Sequence, residues 1–100
     1  MNPLTELLRV KRLLEARYPD IQQIGSDLAI FLRVARGEHS AAISVAEQGW
    51  LVECWRADHE HAGEEILFRE GIVNDAIEAV ERFCHWLENE KPGNGSGQLV

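Results

Sequence analysis

The sequence predicts an α+β fold: a two-layer sandwich with an N-terminal helix, a three- to four-stranded antiparallel meander and a C-terminal helix. Three observations predict it. Apolar residues recur with a helical period at both ends of the chain, they alternate with a period of two in the middle, and two glycine-containing turn signals interrupt the alternating stretch. A meander with one apolar face must have that face covered, and the two helices are the only cover the sequence supplies. The 100 residues admit a single domain, placed at 1–90, followed by a glycine-rich tail at 91–100.

Asn2 and Pro3 open the first helix, Asn as a cap and Pro at a position whose N–H would be unsatisfied anyway. Leu4, Leu7, Leu8, Val10, Leu14 and Tyr18 then fall on one stripe, which ends near Pro19, while Leu13 lies off it. Residues 20–26 are compatible with a short edge strand or a loop. From Leu28 to Ala35 the period is two, with Leu28, Ile30, Leu32 and Val34 on one face. Gly37-Glu38 as a two-residue turn pairs Val34 with Ala41 and Leu32 with Ile43, so apolar residues meet. Gln48-Gly49 as the next turn pairs Val45 with Val52 and Ile43 with Cys54. Residues 58–65 form a polar connection, and EILFRE (65–70) is a fourth strand with Ile66 and Phe68 directed inward. Asn74 and Asp75 then cap the last helix, Asp75 and Glu78 stand at capping-box spacing, and Ile77, Val80, Phe83, Cys84 and Leu87 form its buried stripe.

This order of helix, strands and helix resembles that of the double-stranded-RNA-binding domain. The resemblance implies a basic phosphate-binding surface, whereas the last helix here carries Asp75, Glu78, Glu81, Glu88 and Glu90. Order of elements alone carries no function, and the resemblance is set aside.

The net charge is −7, and it is unevenly spread: residues 1–36 carry +2 and residues 37–100 carry −9. Counterion release from phosphates needs clustered Lys and Arg, so nucleic acid and anionic membrane are excluded as expected partners. No apolar run approaches the roughly 18 residues of a membrane span, and MNPLTELLRV lacks the features of an export signal. Cys54 and Cys84 fit a reducing compartment, so a cytoplasmic location is expected.

Candidate chemistry is sparse. His59-Glu60-His61, with Glu64 nearby, places two imidazoles on one side of an extended segment, where a carboxylate completes a three-ligand metal set. That motif lacks the helical H-E-x-x-H spacing and any cysteine pair, and a solvated loop is the reading taken; a metal- or small-ligand-binding domain, or a minor hydrolase, using His59, His61 and Glu64 is the alternative. Cys84 and His85 are adjacent on a helix and point about 100° apart, so they do not form a nucleophile and its base. No phosphate loop or nucleophile elbow is present, so no cofactor and no enzymatic activity are expected.

The strand register leaves one surface. Opposite the core, the outer face carries Phe31, Arg33, Leu51, Glu53 and Trp55 around a middle strand of small residues, in rows Arg33–Ala42–Trp55, Phe31–Ser44–Glu53 and Ala29–Ala46–Leu51. Trp, Phe and Arg are the side chains that anchor protein interfaces. The expected function is therefore a small acidic protein-interaction module, an adaptor or a protein of the size and charge of immunity proteins and secretion chaperones. It acts through this face, with a second copy of the chain in a homodimer as the expected partner, while the acidic second half suits a basic protein.

Overall fold

The computed structural model describes residues 3–25 and 30–89. Within them the chain forms α1 (Pro3–Glu15), β1 (Gln22–Ile24), β2 (Phe31–Arg36), β3 (His39–Ala46), β4 (Gly49–Ala57), β5 (Glu65–Val73) and α2 (Ala76–Asn89). The strands lie in the sheet in chain order, β1 to β5, each antiparallel to the next. This is the expected α+β architecture with five strands where three or four were predicted. The undecided segment at 20–26 supplies the extra one, as Gln22–Ile24 pairs with Arg33–Phe31. The Asn2 cap, Leu28, Ala29 and the tail at 91–100 lie outside the described residues.

Both helices pack on one face of the sheet. The core between the layers is built from Leu32 and Val34 of β2, Ala41 and Ile43 of β3, Trp50, Val52 and Cys54 of β4, and Phe83 and Leu87 of α2. Leu7, Val10 and Leu14 of α1 close one side of it, and Tyr18 meets Phe83 edge-on with ring centres 6.1 Å apart. Cys54 and Cys84 are buried and not joined in a disulfide, as expected of core cysteines.

The helix stripes are narrower or rotated relative to those predicted. Leu4 and Leu8 stay exposed beside Leu13, because α1 packs mainly on α2 and β3 and buries a single row at 7, 10 and 14. In α2 the buried side chains are Ala79, Phe83, Cys84, Trp86 and Leu87, whereas Ile77 is exposed and Val80 only partly buried. Trp86 takes an inward place, with its indole lying over Gly71 of β5. The helix start is as predicted, with the Glu78 N–H donating to Asp75 Oδ2 at 3.0 Å.

The first hairpin has the predicted register, with Arg36 opposite His39 and Leu32 opposite Ile43. The second does not. Glu47 and Gln48 form the turn, Gly49 already pairs with Ala46, and Ile43 therefore faces Val52 and Ala41 faces Cys54. Gly49 is used for a different purpose. Its φ is +145°, and a Cβ there would fall on the Val73 carbonyl oxygen, inside any permitted contact distance. The glycine marks a close approach of β5, while Glu47 and Gln48 make the turn without one. The correction shifts the pairing by two residues, so every side chain keeps its predicted face and changes only its neighbour.

A β-bulge interrupts the β4–β5 pairing between Cys54 and Trp55, leaving Phe68 as the additional residue on β5. Ile66 shares the face of Arg56 as expected, but α2 does not extend over this end of β5 and Ile66 is half exposed. Phe68 is not an inward core residue. It lies exposed in the bulge, with the Arg56 guanidinium 4.1 Å from its ring centre.

Candidate binding site on the outer sheet face

Alternation along the strands directs every second side chain of β1 to β5 away from the helices. The pairings arrange them in three rows: Gln22–Arg33–Ala42–Glu53–Glu70, Ile24–Phe31–Ser44–Leu51–Ile72, and Ala35–Ser40–Trp55–Leu67. All five predicted site residues lie on this face. Their neighbours differ from those predicted, because the two-residue shift places Glu53 in the row of Arg33, Leu51 in the row of Phe31, and Trp55 opposite Ser40.

No layer of the described fold covers these rows, yet Ser40 is 1% and Ala42 4% exposed. Small residues on β3 lie below long side chains that rise from both flanking strands. Arg33 of β2 and Glu65 of β5 meet at 3.0 Å, and the Ser40 hydroxyl donates to the same carboxylate at 3.3 Å. Glu65 stands three strands across from Arg33 and, opposite Ala57, four residues along from its row. In a flat sheet that is about 20 Å, beyond the reach of both side chains, so the sheet must curl toward its outer face for this bridge to close. The bulge in β5 supplies local bend and twist.

The curled face encloses a concavity of about 630 Å³, within the size range of ligand sites. Ile24, Phe31 and Trp55 supply apolar wall, Ala42 and Ser44 lie along the middle strand, and Arg33, Glu53 and Glu65 bring charge to it. Leu51 shares the face without lining the concavity. Sequence reasoning missed Ile24, because three residues of β1 are too few for a period to show, and Glu70, because the bulge breaks the alternation of β5; it turned Glu65 outward without placing it in the site.

The charge on this face is not balanced. Arg33 is engaged by Glu65, whereas Glu53 stands directly opposite Glu70 with no cation at ion-pair distance among the described residues. Burial pushes the Glu53 carboxyl above its ordinary range, the neighbouring Glu70 charge pushes it further, and a hydrogen bond from Trp55 opposes both.

The histidine motif does not converge. Residues 58–64 turn back on themselves, with the Asp58 N–H donating to the Glu64 carbonyl at 2.9 Å. His59 Nε2 lies 3.3 Å from Glu38, while His61 Nδ1 lies 2.7 Å from Asp58. Donor atoms of Asp58, His61 and Glu64 fall within 4.8 Å of one another, so a ligand set here would use Asp58 in place of His59. His61 and Glu64 are exposed, and the hydrogen bonds inside the loop account for its geometry.

A second, smaller concavity of about 410 Å³ lies at the end of α2, beside Tyr18, Arg36, His39 and Glu88. His39 is buried and its Nε2–H donates to the Leu87 carbonyl, which caps the helix end. The Tyr18 hydroxyl donates to the Glu88 carboxylate, Arg17 pairs with Glu88 at 2.7 Å, and Arg36 makes a two-pronged pair with Asp20. Arg17 and Tyr18 thus tie the end of α2 to the segment after α1, and Arg36 ties β2 to that same segment.

No helix among the described residues is long and apolar enough to cross a membrane. Comparisons with protein-family models, with characterised proteins and with solved structures find no match to this chain.

Proposed function

We propose that this protein is a binding module that takes up a segment of a partner protein on its outer sheet face. The observation that carries this reading is the concavity, about 630 Å³, on a sheet face that no layer of the described fold covers. Two aromatic rings and an arginine line it, the side-chain types that anchor interfaces. Apolar surface continues beyond it along β5, where Leu67 is 36% and Ile72 51% exposed. That extent suits a polypeptide better than a small ligand. A different protein is favoured over a second copy on charge. Each copy carries −7, and a two-fold contact between outer faces would bring the Glu53–Glu70 pairs of both copies toward each other.

A photo-crosslinking side chain placed at Ser44, inside the concavity, tests the proposal in cells, with the same side chain at the exposed α2 position Glu81 as control. A discrete adduct from position 44 that disappears with Trp55→Ser is expected. Identical adduct patterns from both positions would overturn the docking site. An adduct of twice the chain mass would show a second copy as the occupant and overturn the choice of a different protein.

A further inference from the structure

We infer that the partner segment presents a lysine or arginine side chain, flanked by apolar residues, which enters the concavity between Trp55 and the Glu53–Glu70 pair. The inference rests on the docking reading above and adds the chemistry of the occupant. A partly buried carboxylate is costly unless a cation or several hydrogen-bond donors compensate it. Glu53 receives a donor from Trp55 and faces a second carboxylate across the strand pair. The one arginine in its row, Arg33, is separated from it by Ala42 and held by Glu65 at 3.0 Å. The fold therefore directs negative charge at the concavity, while the arginine in the row of Glu53 is taken up by Glu65.

An arriving ammonium or guanidinium group would relieve the repulsion between Glu53 and Glu70, and the ring faces of Trp55 and Phe31 also attract a cation. The apolar lining requires a long aliphatic stem behind the charge, which Lys and Arg both have. Ile24, Leu51 and Ile72, which share one cross-strand row on the same face, accept the apolar residues on either side. The net charge of −7 would speed the encounter with such a segment.

The test is selection of a random heptapeptide phage library on the intact protein, followed by titration of the best synthetic peptide. Selected peptides are expected to carry Lys or Arg between apolar residues and to lose binding to Trp55→Ser. Affinity should fall about tenfold or more with Glu53→Gln, and similarly when the peptide's lysine is replaced by norleucine. It should also fall as salt is raised from about 50 to about 300 mM. Thermal unfolding of the isosteric Glu53→Gln variant verifies that it folds. Peptides that require Trp55 yet carry no cation and bind Glu53→Gln equally well would overturn this inference and leave the docking reading standing. A library yielding no peptide that depends on Trp55 would overturn both.

Discussion

At the residue scale, Glu53 sits where a glutamine would be more comfortable, and its cost to the fold is measurable apart from any partner. Burial and the opposed Glu70 hold its carboxyl above the ordinary range, so the native state binds that proton more tightly than the unfolded chain does. The stability contributed by the protonated form is fully present below the unfolded-state value and is lost as pH rises through the raised native one. Ionised Glu53 therefore opposes folding at neutral pH. Replacing Glu53 by Gln should stabilise the protein by about 0.2–1 kcal/mol at neutral pH, the range for like charges directly opposed on a sheet. The gain should shrink as pH is lowered through the carboxylate range. Urea unfolding of both proteins at neutral and acidic pH measures this, and a less stable Gln variant at neutral pH would refute it. Asp20 acts in the opposite sense. Arg36 lowers its carboxyl, so its contribution is present above the unfolded-state value and is lost as pH falls. That Glu53 faces outward was legible from the alternation of its own strand. Its confrontation with Glu70 was not, because the neighbour is fixed by a bulge that no local pattern announces.

At the element scale, two glycines of similar appearance in the sequence serve different purposes. Gly37 opens the β2–β3 turn at φ +61° with nothing within 4 Å of where a Cβ would stand. Alanine there should cost about 1–2 kcal/mol from the left-handed backbone alone. Gly49 lies against the Val73 carbonyl, and alanine there must displace the end of β5. Its cost should be about 2 kcal/mol or more beyond that at Gly37. Thermal unfolding of the two variants checks the ranking, and a Gly49→Ala variant no less stable than Gly37→Ala would rule out the close-approach explanation. The same pair shows what a sequence pattern conveys about elements. Alternation assigned the faces of β2, β3 and β4 correctly because a face depends only on parity, and an error of two residues preserves parity. The choice of turn depended on β5 packing against Gly49, a contact made by residues more than twenty positions away. The burial of Trp86 in place of Ile77 likewise depends on a distant segment, since the indole packs over Gly71 of β5.

For the molecule as a whole, helix, meander and helix were legible because each element carries its own period, and the layering follows from one face needing cover. The concavity was legible as a face with named residues but not as a volume, because its depth comes from the curl that brings Glu65 back over Ser40 to Arg33. The order of the sheet has a separate consequence, for the time course of folding. Every strand pairs with its neighbour in the chain, so the sheet can assemble hairpin by hairpin through short loop closures. The two helices come from opposite ends of the sequence, and the contact of Tyr18, just after α1, with Glu88 of α2 spans 70 positions. Kinetic measurements should therefore find Ile43→Val slowing refolding, with its hairpin contacts already formed at the barrier, and Leu14→Ala acting mainly by speeding unfolding. The reverse assignment would mean that the helices meet first. With the expected order, the open sheet face exists before the layer that buries its opposite side, and during that interval both faces of the meander are exposed to other chains.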